Sequence, residues 1–160
     1  MNKAFCKEPD AAEPALCPAC GREGLAVAIE TIRCHADPEA AESLGEPAYF
    51  CVTDTCAVAY FDLLERSIAA DAARDLFWPK DPAGPLCSCH GLSLDDVDAD
   101  IADGVPTRLR EAVRKAGEPG APCATRSADG RPCVARLQKY FLRRRAELGG
   151  GLGKSEDGTG

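Results

Sequence analysis

Eight cysteines in two sets of four constrain this chain more than any other feature of its sequence. The first set is the pair Cys17 and Cys20 followed by Cys51 and Cys56. The second is Cys87 and Cys89 followed by the widely spaced Cys123 and Cys133. Ten cysteines in 160 residues, with 6% aromatic content, describe a chain with little material for a large conventional core. Small domains with thin cores need metals or disulfides as staples, and the compartment decides which. Residues 1–14 hold no apolar stretch that could serve as a signal peptide. The longest apolar stretch, near residues 57–64, contains Asp62 and is far too short to span a bilayer. The chain therefore reads as cytoplasmic, without a membrane span, where thiols stay reduced and bind metal.

The second set lies in Leu86-Cys87-Ser88-Cys89-His90-Gly91 and in Cys123 to Cys133, with two apolar-periodic segments between. A [2Fe–2S] cluster needs four thiolates, two on each iron. Two cysteines one residue apart can serve one iron from a loop, and the other pair must come from elsewhere. The oxidised cluster with its thiolates carries about two negative charges. A helix starting at Cys133 would turn free N–H groups and its positive dipole end toward the sulfurs. Zinc knuckles space their ligands as C-x2-4-C, which neither pair satisfies, and disulfides do not suit a reducing compartment. Cys87, Cys89, Cys123 and Cys133 are thus the candidate cluster ligands, with zinc or free thiols as the alternatives. His90 is expected to donate a hydrogen bond toward the sulfurs rather than to bind iron.

Cys17-Pro18-Ala19-Cys20-Gly21 is a zinc-knuckle sequence. Leu25 to Ile29 alternates like a strand, Tyr49-Phe50 leads into Cys51, and Ala57 to Phe61 reads as the returning strand of a hairpin. One knuckle and one hairpin pair make a closed Zn2+ site of Cys17, Cys20, Cys51 and Cys56, structural in role. Cys34-His35 lies between the pairs. His35 reads as a loop histidine, with zinc ligation as the alternative. Cys6 reads as a free thiol in a loose arm, able at most to pass on a soft metal.

The remaining pattern gives an α+β chain in two lobes. Residues 1–15 are a flexible arm, 16–80 a small zinc-ribbon-like β lobe, 81–147 a small helical [2Fe–2S] lobe and 148–160 a disordered tail. The Pro-rich run from Trp78 to Pro85 marks the boundary. Residues 63–76 have helical spacing but leave room for a strand near Ile68. Ser93 is an N-cap followed by Asp95 and Asp96, and Gly104 ends that helix. Thr107 or Pro106 opens the next, with Leu109, Val113 and Ala116 inward and Gly117 as its stop. Val134, Leu137 and Phe141 line the last. Net charge is −7, and two four-thiolate metal sites would bring it to about −11, which excludes nucleic acid as a default partner. The acidic run Asp95 to Asp103 and the basic run Arg136 to Arg145 read as solvated helix faces that attract each other. There is no G-x-G-x-x-G, no P-loop and no nucleophile with an orienting partner, so no catalytic residue is assigned.

With both sets assembled, the chain resembles the N-terminal domain of the CopZ-type copper chaperones over about residues 15–145. Cys17-Pro18-Ala19-Cys20-Gly21, Tyr49-Phe50-Cys51 and Cys56-Ala57-Val58-Ala59-Tyr60-Phe61 match its zinc half, and Cys87-Ser88-Cys89, Cys123 and Cys133 its cluster half. The second half is also similar to bacterioferritin-associated ferredoxin (BFD) domains, although those space their second pair closely. The resemblance implies one zinc, one [2Fe–2S] cluster and a redox or accessory role in handling copper or another soft metal such as mercury. One-electron reduction of Cu(II) to Cu(I) is the activity it leaves room for. Partners would be a copper chaperone, a transporter or an electron-donor protein. Full-length CopZ-type proteins add a G-M-x-C-x-x-C copper domain. That motif does not occur here and Met1 is the only methionine, so another protein is expected to supply the chaperone site. Two other readings stay open: a small ferredoxin-like electron carrier, and an interaction module whose metals are purely structural.

Overall fold

A computed structural model of the chain describes residues 13–150. Cys6, residues 1–12 of the arm and the tail from residue 151 lie outside the described residues. The first half is a four-stranded antiparallel meander, β1 (Leu25–Val27), β2 (Ala48–Phe50), β3 (Val58–Asp62) and β4 (Ser67–Ala69), in sheet order β1-β2-β3-β4. Two short helices, α1 (Ile29–His35) and α2 (Pro38–Ser43), fill the β1–β2 connection. The second half is helical: α3 (Leu94–Asp103), α4 (Thr107–Ala116), the single turn α5 (Cys123–Arg126) and α6 (Val134–Gly150).

Strand β3 is buried along its whole length, because both faces of the sheet are covered. Tyr60 joins Ile32, Leu44, Phe50, Ile68 and Phe77 in the core beneath α1 and α2. Phe61 points the other way, to Ala15, Cys17, Cys51 and Val58. Alternate side chains of a strand face opposite ways, so one strand serves both cores. Register pairs Phe50 with Tyr60 and Tyr49 with Phe61. The rings of each pair lie 5.6 Å apart, edge-on in the first and stacked in the second, which adds aromatic contact to the ladder. Gly24 lets the chain after the first cysteine pair lie against this layer: a Cβ there would come within 2.5 Å of the Phe61 ring.

The expected hairpin into and out of the Cys51–Cys56 loop is present, as is a strand at Ile68. The strand expected over residues 25–29 stops at Val27, and Ile29 begins α1 instead. His35 is therefore not in a loop but at the buried end of a helix. Asp37-Pro38-Glu39, with Pro at a first-turn position, opens α2.

Ser93 caps α3 with a full capping box: Asp96 N–H donates to Ser93 Oγ at 3.1 Å, and Ser93 N–H donates to Asp96 Oδ2 at 2.9 Å. Gly104 closes the helix in the left-handed conformation. The core between α3, α4 and α6 holds Leu86, Leu92, Val97, Leu109, Leu137 and Tyr140. On α4 the inward residues are Leu109 and Ala112, with Val113 partly buried, rather than Ala116. Buried Asp100 accepts the Leu109 N–H at 2.8 Å and pairs with Arg108 at 3.0 Å, fixing α4 against α3. The attraction between acidic and basic runs comes down to Asp98, which Arg144 reaches at 3.1 Å. Helix α6 continues through residues 148–150.

The halves are joined well beyond the Trp78–Pro85 connector. Thr31 Oγ1 donates to the Ala124 carbonyl at 2.6 Å, and Tyr60 Oη donates to the Ala128 carbonyl at 2.7 Å. Ala128 lies in the core of the first half. The segment that carries Cys123 thus rests on α1 and β3.

Candidate metal centres

The first cysteine set closes on itself. Cys17 and Cys20 sit in a tight turn pinned by Gly21 N–H to the Cys17 carbonyl at 2.8 Å, with Gly21 at φ 72°. Glycine adopts that conformation without steric cost. Cys51 follows β2 and Cys56 precedes β3, so the hairpin brings the second pair to the first. The four Sγ atoms all lie within 4.8 Å of one another. Cys17 and Cys56 are 3.8 Å apart, and Cys20 and Cys51 are 3.6 Å apart. With Zn–S bonds of about 2.3 Å, the edge of a tetrahedral site is about 3.8 Å. Backbone N–H groups of Arg22, Thr53 and Val58 point at Cys20, Cys51 and Cys56. The Thr53 hydroxyl, 3.2 Å from Cys20 Sγ, and then the Arg22 N–H bring the Cys20 thiol down to about 6. Burial pushes Cys51 up to about 12 and raises Cys56. A divalent cation would convert all four to thiolates, as soft-metal binding does.

The second set is arranged differently. Leu86 and Cys87 pair with Leu92 across a small loop, and the backbone turns at Ser88. Cys123 begins α5, and Cys133 accepts the Leu137 N–H at 2.9 Å at the start of α6. Cys133 Sγ and Cys87 Sγ lie against each other, 2.7 Å apart, and Cys89 faces Cys123. The pairs thus run between segments, whereas the spacing alone puts Cys87 and Cys89 together. The Cys133 thiol, helped by the N–H groups of His90 and Cys89, lowers Cys87 to about 6 and is itself raised. Burial pushes Cys89 up to about 12.

Three buried side-chain polar atoms lack a hydrogen-bond partner among the described residues: Ser88 Oγ, His90 Nε2 and Arg136 Nη2. Ser88 and His90 flank Cys89. Arg136 lies close enough to Cys133, Cys87 and Cys89 for their charges to act on it. Orphaned buried donors are costly and uncommon. All three belong to residues next to the second cysteine set in the chain or in the fold, Arg136 through its bond to the Leu86 carbonyl.

His35 is at neither site: its two ring nitrogens bond the Arg74 and Thr125 carbonyls at 2.9 and 3.0 Å, leaving none for a metal. Cys34 is exposed and lines a cleft of about 330 Å³ with Ser88 and Arg126. Sequence reasoning passed over Thr53 and Lys80 and put Arg136 on a solvated helix face, whereas its side chain is 15% exposed and packs on the Phe77 ring. Lys80 is buried beside the first site, donating to the Thr53 carbonyl at 2.8 Å, and its charge favours the Cys51 thiolate. The legible signal for Arg136 was a cation in the first turn of a helix, where an anion belongs. No helix among the described residues is long and apolar enough to cross a membrane.

Residues 14–73 match the zf_CopZ family, a zinc binding domain. No curated protein matches the chain. The structure is similar to the X-ray structure of the Archaeoglobus fulgidus CopZ N-terminal domain, with a TM-score of 0.65 at 19% identity, over 78% of this chain and 96% of that one. Residues 14–73 accordingly match a zinc-binding domain family and carry a four-cysteine cluster, and the mixed helical and antiparallel-sheet chain has a fold similar to that of the CopZ N-terminal domain.

Proposed function

We propose that the chain is a zinc- and iron–sulfur-binding redox accessory in the handling of copper or a similar soft metal. In this reading Cys17, Cys20, Cys51 and Cys56 hold one structural zinc, and Cys87, Cys89, Cys123 and Cys133 hold one [2Fe–2S] cluster. The observation that carries the reading is the close approach of Cys133 to Cys87, with Arg136 bound to the Leu86 carbonyl beside them and buried polar atoms of Ser88, His90 and Arg136 left unpartnered among the described residues. When bound, such a cluster supplies one-electron chemistry, here the reduction of Cu(II) to the Cu(I) that thiolate chaperones carry. The chain's own residues do the rest. Cys87, Cys123 and Cys133 are buried and keep water from the site, while half-buried Cys89 sits nearest to solvent. N–H groups of His90 and Cys89 face Cys87 and stabilise its thiolate. A separate chaperone or transporter would take the Cu(I), and an electron-donor protein would restore the reduced form, in the cytoplasm.

The test mixes reduced, desalted protein with Cu(II) in the presence of a Cu(I)-specific chromogenic chelator. The expected result is one equivalent of Cu(I) above that formed by the oxidised protein, which controls for reduction by free thiols, with return of the oxidised visible spectrum. Equal Cu(I) from reduced and oxidised protein would overturn the redox role.

A further inference from the structure

Arg136 is placed as no merely structural arginine needs to be. It stands in the first turn of α6, which has no acidic residue there to match the positive end of the helix. Its side chain is 15% exposed. Its guanidinium lies 3.4 Å from the centre of the Phe77 ring, and its Nε donates to the Leu86 carbonyl at 2.8 Å. Its one carboxylate neighbour is Asp129, at 3.7 Å from Nη1. Asp129 is already engaged by Ser127 Oγ and the Arg131 N–H on its other oxygen. Nη2 has no partner among the described residues. A half-buried cation with one distant counter-charge among the described residues and a spare buried donor is unfavourable by itself. Three anchors nevertheless hold it beside Cys87, whose neighbour Leu86 accepts its Nε, and three residues along the chain from Cys133. The missing counter-charge is the one a thiolate-held cluster would bring.

We propose that Arg136 is the positioning and charge-setting residue of the Cys87/Cys89/Cys123/Cys133 site, its Nη2 donating to the anionic group held there. The inference rests on the iron–sulfur reading above. Taking up one electron from an external reductant makes that group more negative by one charge, so a fixed cation favours the reduced form. Phe77 and Asp129 set the angle of the guanidinium, and through Phe77 the first half supports the second.

The test uses the anaerobically reconstituted full chain and the variants Arg136→Gln and Arg136→Lys, titrated with dithionite against redox dyes and followed by visible absorption. Zinc content and far-UV circular dichroism are read in parallel. Charge-assisted hydrogen bonds contribute enough to shift an equilibrium by about ten- to a hundredfold. At the wild-type midpoint the reduced-to-oxidised ratio of Arg136→Gln should fall by at least about tenfold, and that of Arg136→Lys should fall much less. If Arg136→Gln holds no cluster while zinc and circular dichroism stay as in the wild type, the charge is needed to hold the group, which also supports the proposal. An unchanged ratio in Arg136→Gln, or equal ratios in the two variants, overturns it. If Arg136→Gln does not fold, the lysine variant decides. A near-wild-type ratio supports the proposal, and loss of fold there too assigns Arg136 a packing role only. Wild-type protein that takes up no iron or sulfide sinks the underlying reading and this inference with it, whereas a loaded wild type with an unchanged Arg136→Gln ratio overturns this inference alone.

Discussion

Each cysteine set has four thiols, yet the first carries them on a turn and a hairpin loop and gathers its sulfurs, while the second carries them on a loop and two helix starts and pairs them between segments. In the first, four Sγ atoms lie within 4.8 Å of one another, and its two closest cross-pairs stand at 3.8 and 3.6 Å, the edge lengths of a site for one small cation. In the second, Cys87 pairs with Cys133 and Cys89 with Cys123. Each site has a cation close by, buried Lys80 at the first and half-buried Arg136 at the second. Lys80 uses its ammonium to tie down the Thr53 carbonyl, whereas Arg136 retains an unpartnered N–H. A single ion that completes its own tetrahedron asks nothing more of its surroundings. A larger anionic group needs outside donors, and only the second site holds them in reserve.

The comparison can be broken most forcefully at the first site. Structural zinc in small domains contributes on the order of ten kcal/mol to folding, so Cys51→Ala should abolish zinc binding and melt the β meander. The sequence alone places a boundary near Trp78 to Pro85 and expects the second half to survive. The bonds from Thr31 to Ala124 and from Tyr60 to Ala128 predict instead that the damage reaches the Cys123 segment. Hydrogen exchange should show residues 123–131 losing protection along with β3, while α3 and α4 keep theirs.

A smaller effect, confined to the second half, is expected from Asp100→Ala. It leaves the Leu109 N–H unsatisfied and removes the Arg108 pair at a side chain that is fully buried. The cost should be about 2–4 kcal/mol, read from denaturant midpoints, with zinc content unchanged. Acid should act on the first half through Asp62. Burial works to raise its carboxyl, but the N–H groups of Gly45, Arg66 and Leu64 and the Arg66 guanidinium outweigh that and hold it below the usual carboxylate range. A carboxyl depressed on folding contributes its stability in full above the unfolded value of about 3.9 and loses it as pH falls through the folded value. Stability of wild-type protein should therefore fall below about pH 4 more steeply than that of Asp62→Asn. The smallest effect is expected from Ser93→Ala, which removes the capping-box hydroxyl and should cost about 1 kcal/mol without touching either metal site.

What the sequence made legible follows local chemistry. Ser93 and Gly104 announced α3 because caps are read within a few residues, and the Tyr49 to Phe61 hairpin showed in its β-branched and aromatic runs. Helix α1 was hidden because the alternation of Leu25 to Ile29 continues into it and Ala28 offers no side-chain cap. Asp37-Pro38-Glu39 did carry a start signal for α2. The buried place of His35 depends on Arg74 and Thr125, far away in sequence, and so was not readable. The same holds for the pairing of Cys87 with Cys133, for Lys80 and for Arg136. Spacing suggests which cysteines to expect together, but only the packing of Arg136 at the start of α6 against Phe77 shows which charge lies near the second set.

The central claim is that the two sets hold different metals. Its most direct test is the zinc, iron and acid-labile sulfide content of anaerobically purified protein, measured beside Cys20→Ser and Cys89→Ser. The account predicts one zinc, two irons and two sulfides per chain, with iron and sulfide lost from Cys89→Ser while its zinc remains, and zinc lost from Cys20→Ser. Two zincs and no sulfide in the wild-type protein would contradict it.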